Sequence, residues 1–174
     1  MKIIVIAGMP GAGKEELLSV ARSLGIHYAR MGDAVREFYS RSPNKGMSIG
    51  EFASSEREKF GITIWAKRTI EKMNGDMFLI DGCRSMEEVR SFRELGGDVV
   101  IIGIYSSPDQ RYKRLINRGR DDAPRNIDEF NQRDSREISW GLAEVLALSD
   151  IMLVNSSSLE DFHSVSEMTL KGLK

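Results

Sequence analysis

Apolar runs of four to seven residues recur along this chain, each separated from the next by longer amphipathic stretches. Ile3 to Ala7 is the first. Met77 to Ile80 follows an Asn74-Gly75-Asp76 turn, Val99 to Tyr105 follows Gly96-Gly97-Asp98, and Ile151 to Val154 ends at Asn155. Runs without polar alternation predict strands buried on both faces, the pattern of a parallel sheet covered by helices. A weaker run, His27-Tyr28-Ala29, predicts a further strand.

The intervening stretches carry helix signals. Leu17, Leu18, Ala21 and Leu24 form one helical face that Gly25 ends. Ser48-x-x-Glu51 and Ser85-x-x-Glu88 read as capping boxes, and Ser107-Pro108-Asp109 places proline at a first helical position. Ile127, Phe130, Ile138, Leu142 and Leu146 predict one long helix, and Ser158 opens the last. The expected architecture is an α/β three-layer sandwich of about five parallel strands with helices on both faces. With no repeat, low-complexity tract or linker, and only a loop at 42–46, one domain is expected over 1–174.

Composition narrows the function classes. A chain of 174 residues can bury a real core. A formal net charge of −1 excludes a global attraction to nucleic acid or anionic membrane, so any polyanion site must be local. The single cysteine, Cys83, excludes an intramolecular disulfide framework and suits a reducing compartment. No apolar stretch approaches a membrane span and no signal-peptide cleavage region is evident, so a cytoplasmic location and no membrane partner are expected.

The first run passes directly into Gly8-Met9-Pro10-Gly11-Ala12-Gly13-Lys14. This is the P-loop spacing, in which backbone N–H groups wrap a phosphate and the lysine supplies a point charge. Glycines suit it because a side chain would block the approach of backbone to phosphate, and because part of the loop needs positive φ. ATP is the expected ligand, with Mg²⁺. Where the motif carries Ser or Thr for the metal, this chain has Glu15, which could ligate the ion or simply occupy the first helical turn. The second role is favoured, since a carboxylate beside polyphosphate is repelled unless metal lies between them. No third glycine completes a dinucleotide fingerprint. No N-K-x-D guanine motif is present either, Asn44-Lys45-Gly46-Met47 lacking the aspartate.

The strand ending at Ile80 delivers Asp81 to its carboxyl end, where ligands bind in open α/β sheets, and Asp81 is the expected Mg²⁺ residue. Gly82 follows in place of a glutamate poised to activate water, which weighs against a motor ATPase. Cys83 is expected to be packed, and His27 and His163 lack metal-ligand spacing. From Arg111 to Arg136, eight basic residues stand against five acids, with Arg111, Arg114 and Arg118 on one helical face.

Gly32-Asp33-x-x-Arg36 after the second strand, Asp81-Gly82-x-Arg84 after the third and the arginine-rich segment beyond the fourth together resemble the nucleoside monophosphate kinase family. Within it, the chain is similar to uncharacterised archaeal proteins likened to adenylate kinase and dephospho-coenzyme A kinase. The pattern reaches from Met1 to about Asn155. The resemblance implies an acceptor-binding segment over about 31–75, in which Arg36 and Arg84 hold the acceptor's phosphate with Asp33 nearby. A guanidinium suits that task because it grips two phosphate oxygens at once. It also implies a short lid over about 114–136. There Arg118 would lie on or near the donor base, and Arg114, Arg120 and Arg133 would approach phosphates. Beyond the lid, the loop after the last strand would pack beside the donor adenine, with Asn155 either contributing there or simply ending the strand in a turn. The chain departs from adenylate kinases in having Met31 where they carry threonine, and Cys83 alone where they carry a Phe-Pro pair.

The expected function is therefore ATP-dependent transfer of a γ-phosphoryl group to a small phosphorylated acceptor, a nucleotide in the first instance. Dephospho-coenzyme A is the alternative acceptor, with Asp33 as the available base. A nucleotide-sensing or RNA-associated module without efficient transfer is the alternative of a different class.

Overall fold

The first apolar run becomes the middle of a sheet because neither of its faces meets water. β1 (Lys2–Gly8) is buried from Ile3 to Ala7 and lies between β3 (Met77–Asp81) and β4 (Asp98–Tyr105). β2 (His27–Arg30) and β5 (Ile151–Val154) complete a five-stranded parallel sheet of order β2-β3-β1-β4-β5. The computed structural model describes residues 2–43, 46–73, 75–94, 97–119 and 123–174. Asn44, Lys45, Asn74 and Gly96 of the predicted turns, and Arg120, Asp121 and Asp122 of the predicted lid, lie outside the described residues.

Alternate residues of the strands supply two apolar layers. Ile4, Ile6, Leu79, Ile102 and Ile104 pack against α1 (Lys14–Ser23) and α9 (Leu159–Leu173) through Leu17, Leu18, Phe162 and Leu170. On the other face, Ile3, Val5, Ala7, Ile80 and Ile101 meet α2 (Met31–Arg41), α3 (Ile49–Phe60), α4 (Ile64–Ile70), α5 (Met86–Arg93) and α8 (Leu142–Ala147). Three of these, α2, α3 and α4, fall within the segment 31–75, between β2 and β3. α6 (Pro108–Asn117) follows β4, and α7 (Ile127–Ser139) precedes α8.

Three expectations are corrected. The helix predicted to run from Ile127 to Leu146 is two helices, because Gly141 at φ +102° turns the chain between α7 and α8. A Cβ there would also approach the Arg84 carbonyl to 3.2 Å. Ile127 and Ile138 accordingly face outward, each half exposed, while Phe130 and Leu142 are buried. β5 is an edge strand, so its run is covered on one side only: Leu153 is buried while Met152 and Val154 are exposed. Finally, Ser48 and Glu51 form a reciprocal capping box, but Ser85 and Glu88 form only half of one. The Ser85 hydroxyl accepts from Glu88 N–H, whereas the Glu88 carboxylate accepts from Arg84 N–H at 2.7 Å.

Candidate functional site

The loop from Gly8 to Lys14 leaves the carboxyl end of β1 and enters α1, as the spacing requires. Its last glycine is demanded by the chain itself. Gly13 has φ +113°, and a Cβ on it would run into Asn155 Nδ2. Asn155, buried at the end of β5, donates that Nδ2–H to the Ala12 carbonyl at 2.8 Å. Its Oδ1 accepts from Arg114 at 3.2 Å, and Arg114 reaches the Asn155 carbonyl and Ser106 Oγ as well. Asn155 thus braces the loop from behind.

A second brace is Arg111, which is 4% exposed although sequence pattern placed it on a charged helix face. Its guanidinium donates to the Pro10 carbonyl at 3.1 Å and to the carboxylate of Asp134 in α7. It lies 4.9 Å from the centre of the Phe130 ring. Strand-end loop, α6 and α7 are locked together through this one side chain.

Inside the loop, Lys14 Nζ donates to the carbonyls of Gly8 at 2.5 Å and Met9 at 3.4 Å. An ammonium has three donors, so one remains for a ligand. Burial pulls its pKa down, opposed by the charges of Asp81 and Glu137. Burial pushes the Asp81 carboxyl up, opposed by Lys14 and Arg30. Asp81 Oδ1 is buried and has no hydrogen-bond partner among the described residues. Magnesium is commonly held by one or two carboxylates together with phosphate oxygens and water, so an unfilled carboxylate oxygen beside the P-loop lysine suits it. No group of three or more metal-ligating side chains occurs among the described residues. Glu15 lies in the first turn of α1, with its carboxylate 2.7 Å from Arg30 Nη2.

A cavity of about 680 Å³ opens over this loop. It is lined by Gly8, Pro10, Gly11, Gly13, Lys14 and Glu15 from the loop and by Arg114, Arg118, Arg133 and Asn155. A second, more open cleft of about 1260 Å³ runs between α3 and α7. Arg84, Arg133 and Glu137 line both. Arg84 projects from the loop after β3 and donates to Glu137 at 2.8 and 3.4 Å, with its guanidinium 4.6 Å from the Trp140 ring centre.

The predicted site residues are thus partly assembled. Loop, Lys14, Arg84, Arg114, Arg118, Arg133 and Asn155 surround one cavity. Met9 and Ala12 take part through their carbonyls. Asp33 and Arg36 pair with each other at the start of α2, both exposed, and line neither cavity. Arg120 lies outside the described residues. Cys83 is buried with its thiol pKa raised, chiefly by desolvation. His163 meets Glu16 at 2.8 Å, and His27 stacks on Phe78. Sequence pattern does not single out Glu137, Trp140 or Arg30, since each lies among helical or strand-end residues whose neighbours come from distant segments.

These features define a P-loop nucleotide-binding domain of kinase-like, three-layer α/β fold. A family model described as an AAA domain matches residues 7–131. The chain belongs to that family and to the UPF0200 proteins. It is 44% identical over 171 residues to a UPF0200 protein of Thermoplasma volcanium, covering 97% of this chain and 96% of that one. A UPF0200 protein of Hyperthermus butylicus is 43% identical, with 98% and 94% covered. The crystal structure of TT1252 from Thermus thermophilus shares the fold, with a TM-score of 0.68 at 16% identity over 99% of this chain and 98% of that one.

Proposed function

We propose that this protein is an ATP-dependent phosphotransferase acting on a small phosphorylated acceptor, a nucleotide being the first candidate. The observation that carries this reading is the junction of two cavities at Arg84, Arg133 and Glu137. A site that only bound nucleotide would need the P-loop cavity alone. A transferase needs a second compartment opening onto the same phosphoryl group, with positive charge at the boundary.

In this reading the polyphosphate lies in residues 8–14 with Lys14 beside it. Bound Mg²⁺, held through Asp81, would neutralise charge on the phosphate oxygens. Arg114, Arg118 and Arg133 line the donor side, and Arg84 and Arg133 face phosphates from both compartments. The acceptor occupies the cleft between α3 and α7. Transfer to a phosphate oxygen needs no general base, only positioning and charge neutralisation. Arg84 is held ready by Glu137 and Trp140, so little order is lost when it engages a phosphate. For a hydroxyl acceptor such as dephospho-coenzyme A, Glu137 and not Asp33 is the carboxylate at the boundary.

The test is ADP formation from ATP and Mg²⁺ with AMP, CMP, UMP and dephospho-coenzyme A in turn, against an acceptor-free control. Acceptor-dependent ADP is expected with at least one. Tight nucleotide binding with no acceptor-dependent turnover would instead favour a sensing module.

A further inference from the structure

Arg30 ends β2 in register with Asp81 at the end of β3, so the two side chains leave neighbouring strands on the same face, toward the start of α1. There Arg30 Nη2 stands 2.7 Å from Glu15 Oε2, and Arg30 Nε stands 4.0 Å from Asp81 Oδ2. Its Nε is buried without a hydrogen-bond partner among the described residues. One guanidinium therefore sits between two carboxylates. One of these, Glu15, occupies the position where a P-loop ordinarily has a hydroxyl for Mg²⁺. A bare carboxylate there would repel a polyphosphate strongly in a partly desolvated cavity.

We propose that Arg30 is a positioning residue that neutralises Glu15 and so lets the P-loop accept a nucleotide polyphosphate without a divalent cation to shield that carboxylate. The proposal rests on the nucleotide-binding reading of the loop and goes beyond it, because it assigns the metal dependence of binding to an ion pair. Without Arg30, Glu15 would need a metal between itself and the phosphates. With Arg30, metal serves Asp81 and the phosphates only.

The test is calorimetric titration of ADP into the full chain, once with EDTA and once with Mg²⁺, alongside thermal melts. Arg30→Gln is expected to weaken ADP binding at least tenfold in EDTA and less than threefold in Mg²⁺. Arg30→Lys, which keeps the charge, should stay within threefold in both. Adding Glu15→Ser to Arg30→Gln should restore metal-free binding to within threefold. Glu15→Ser alone leaves Arg30 with Asp81 as its remaining carboxylate and should tighten metal-free binding at least threefold, which tests the proposal even if Arg30→Gln does not fold. Equal losses with and without metal, no recovery in the double variant, or no tightening with Glu15→Ser would overturn it. No ADP binding by the unaltered protein in either buffer would overturn the nucleotide reading itself, a result distinct from any of these.

Discussion

The Arg111 guanidinium meets the Asp134 carboxylate through two hydrogen bonds, 2.9 Å from Nη1 and 2.5 Å from Nη2. The same Nη1 donates to the Pro10 carbonyl at 3.1 Å. The pair is nearly buried, at 4% and 16% side-chain exposure, so each charge depends on the other. Its placement ties the P-loop to the helix that carries Arg133 and Glu137.

Breaking a buried pair from one side leaves an uncompensated charge, at a cost of about 3–5 kcal/mol. Arg111→Ala should therefore lower the melting temperature sharply. Arg111→Lys should recover little, because an ammonium cannot grip the carboxylate and the Pro10 carbonyl in one plane. Chemical denaturation of both variants measures this. A lysine variant as stable as the parent would show that the fork geometry is not needed.

Lys14 is stabilised in its neutral form by burial, its pKa lying below the ordinary 10.5. In the span between the folded value and 10.5 the unfolded chain binds more protons at this group, so stability rises with pH there. Lys14→Met removes the buried charge. The nucleotide-free variant is expected to be at least as stable as the parent at neutral pH and to lose that alkaline rise, while ADP binding collapses. Denaturation curves between pH 7 and about 10, with calorimetry at pH 7, check all three. A less stable variant that still binds ADP would contradict the role given to Lys14.

Most of the sheet was legible because buried parallel strands read as unbroken apolar runs, and β1, β3 and β4 are central. β5 deceived in part: the sequence of Met152 and Val154 is as apolar as that of β1, yet position at the sheet edge leaves them exposed. The P-loop was legible because its constraints are local. Arg84 could be placed from its strand-end motif, but its partners Glu137 and Trp140 could not. They lie more than fifty residues away, near the end of the helix that stops before Gly141, and only the folded chain brings them to Arg84. The burial of Arg111 was not legible for a related reason, since its helical spacing with Arg114 and Arg118 does not reveal that Pro10 and Asp134 close over it.

Asn155 supports the loop from the carboxyl end of β5. Asn155→Ala should leave the buried Ala12 carbonyl without its donor and remove a partner from Arg114, destabilising by about 1–3 kcal/mol. Nucleotide affinity should fall with it, since the loop carbonyl and Arg114 are both loosened. A melt and an ADP titration test this. Full affinity in the variant would place the loop's order in its own backbone.

The acceptor assignment separates two arginines that the family resemblance treats alike. Arg84 lines both cavities and is aimed across their boundary by Glu137 and Trp140. Arg36 is exposed, paired with Asp33 one helical turn into α2 and outside both cavities. A charge-assisted hydrogen bond contributes roughly 1.5–3 kcal/mol, so losing a guanidinium that grips the acceptor phosphate should raise KM or lower kcat at least about tenfold. Arg84→Ala should show that loss with the best acceptor while ADP affinity changes less, and Arg36→Ala should show the smaller effect of the two. Glu137→Gln, which frees Arg84 without removing it, should fall between them. Steady-state kinetics of the three variants decide the matter. A larger loss at Arg36 than at Arg84 would mean that α2 moves onto the acceptor, and the cleft between α3 and α7 would no longer be its place.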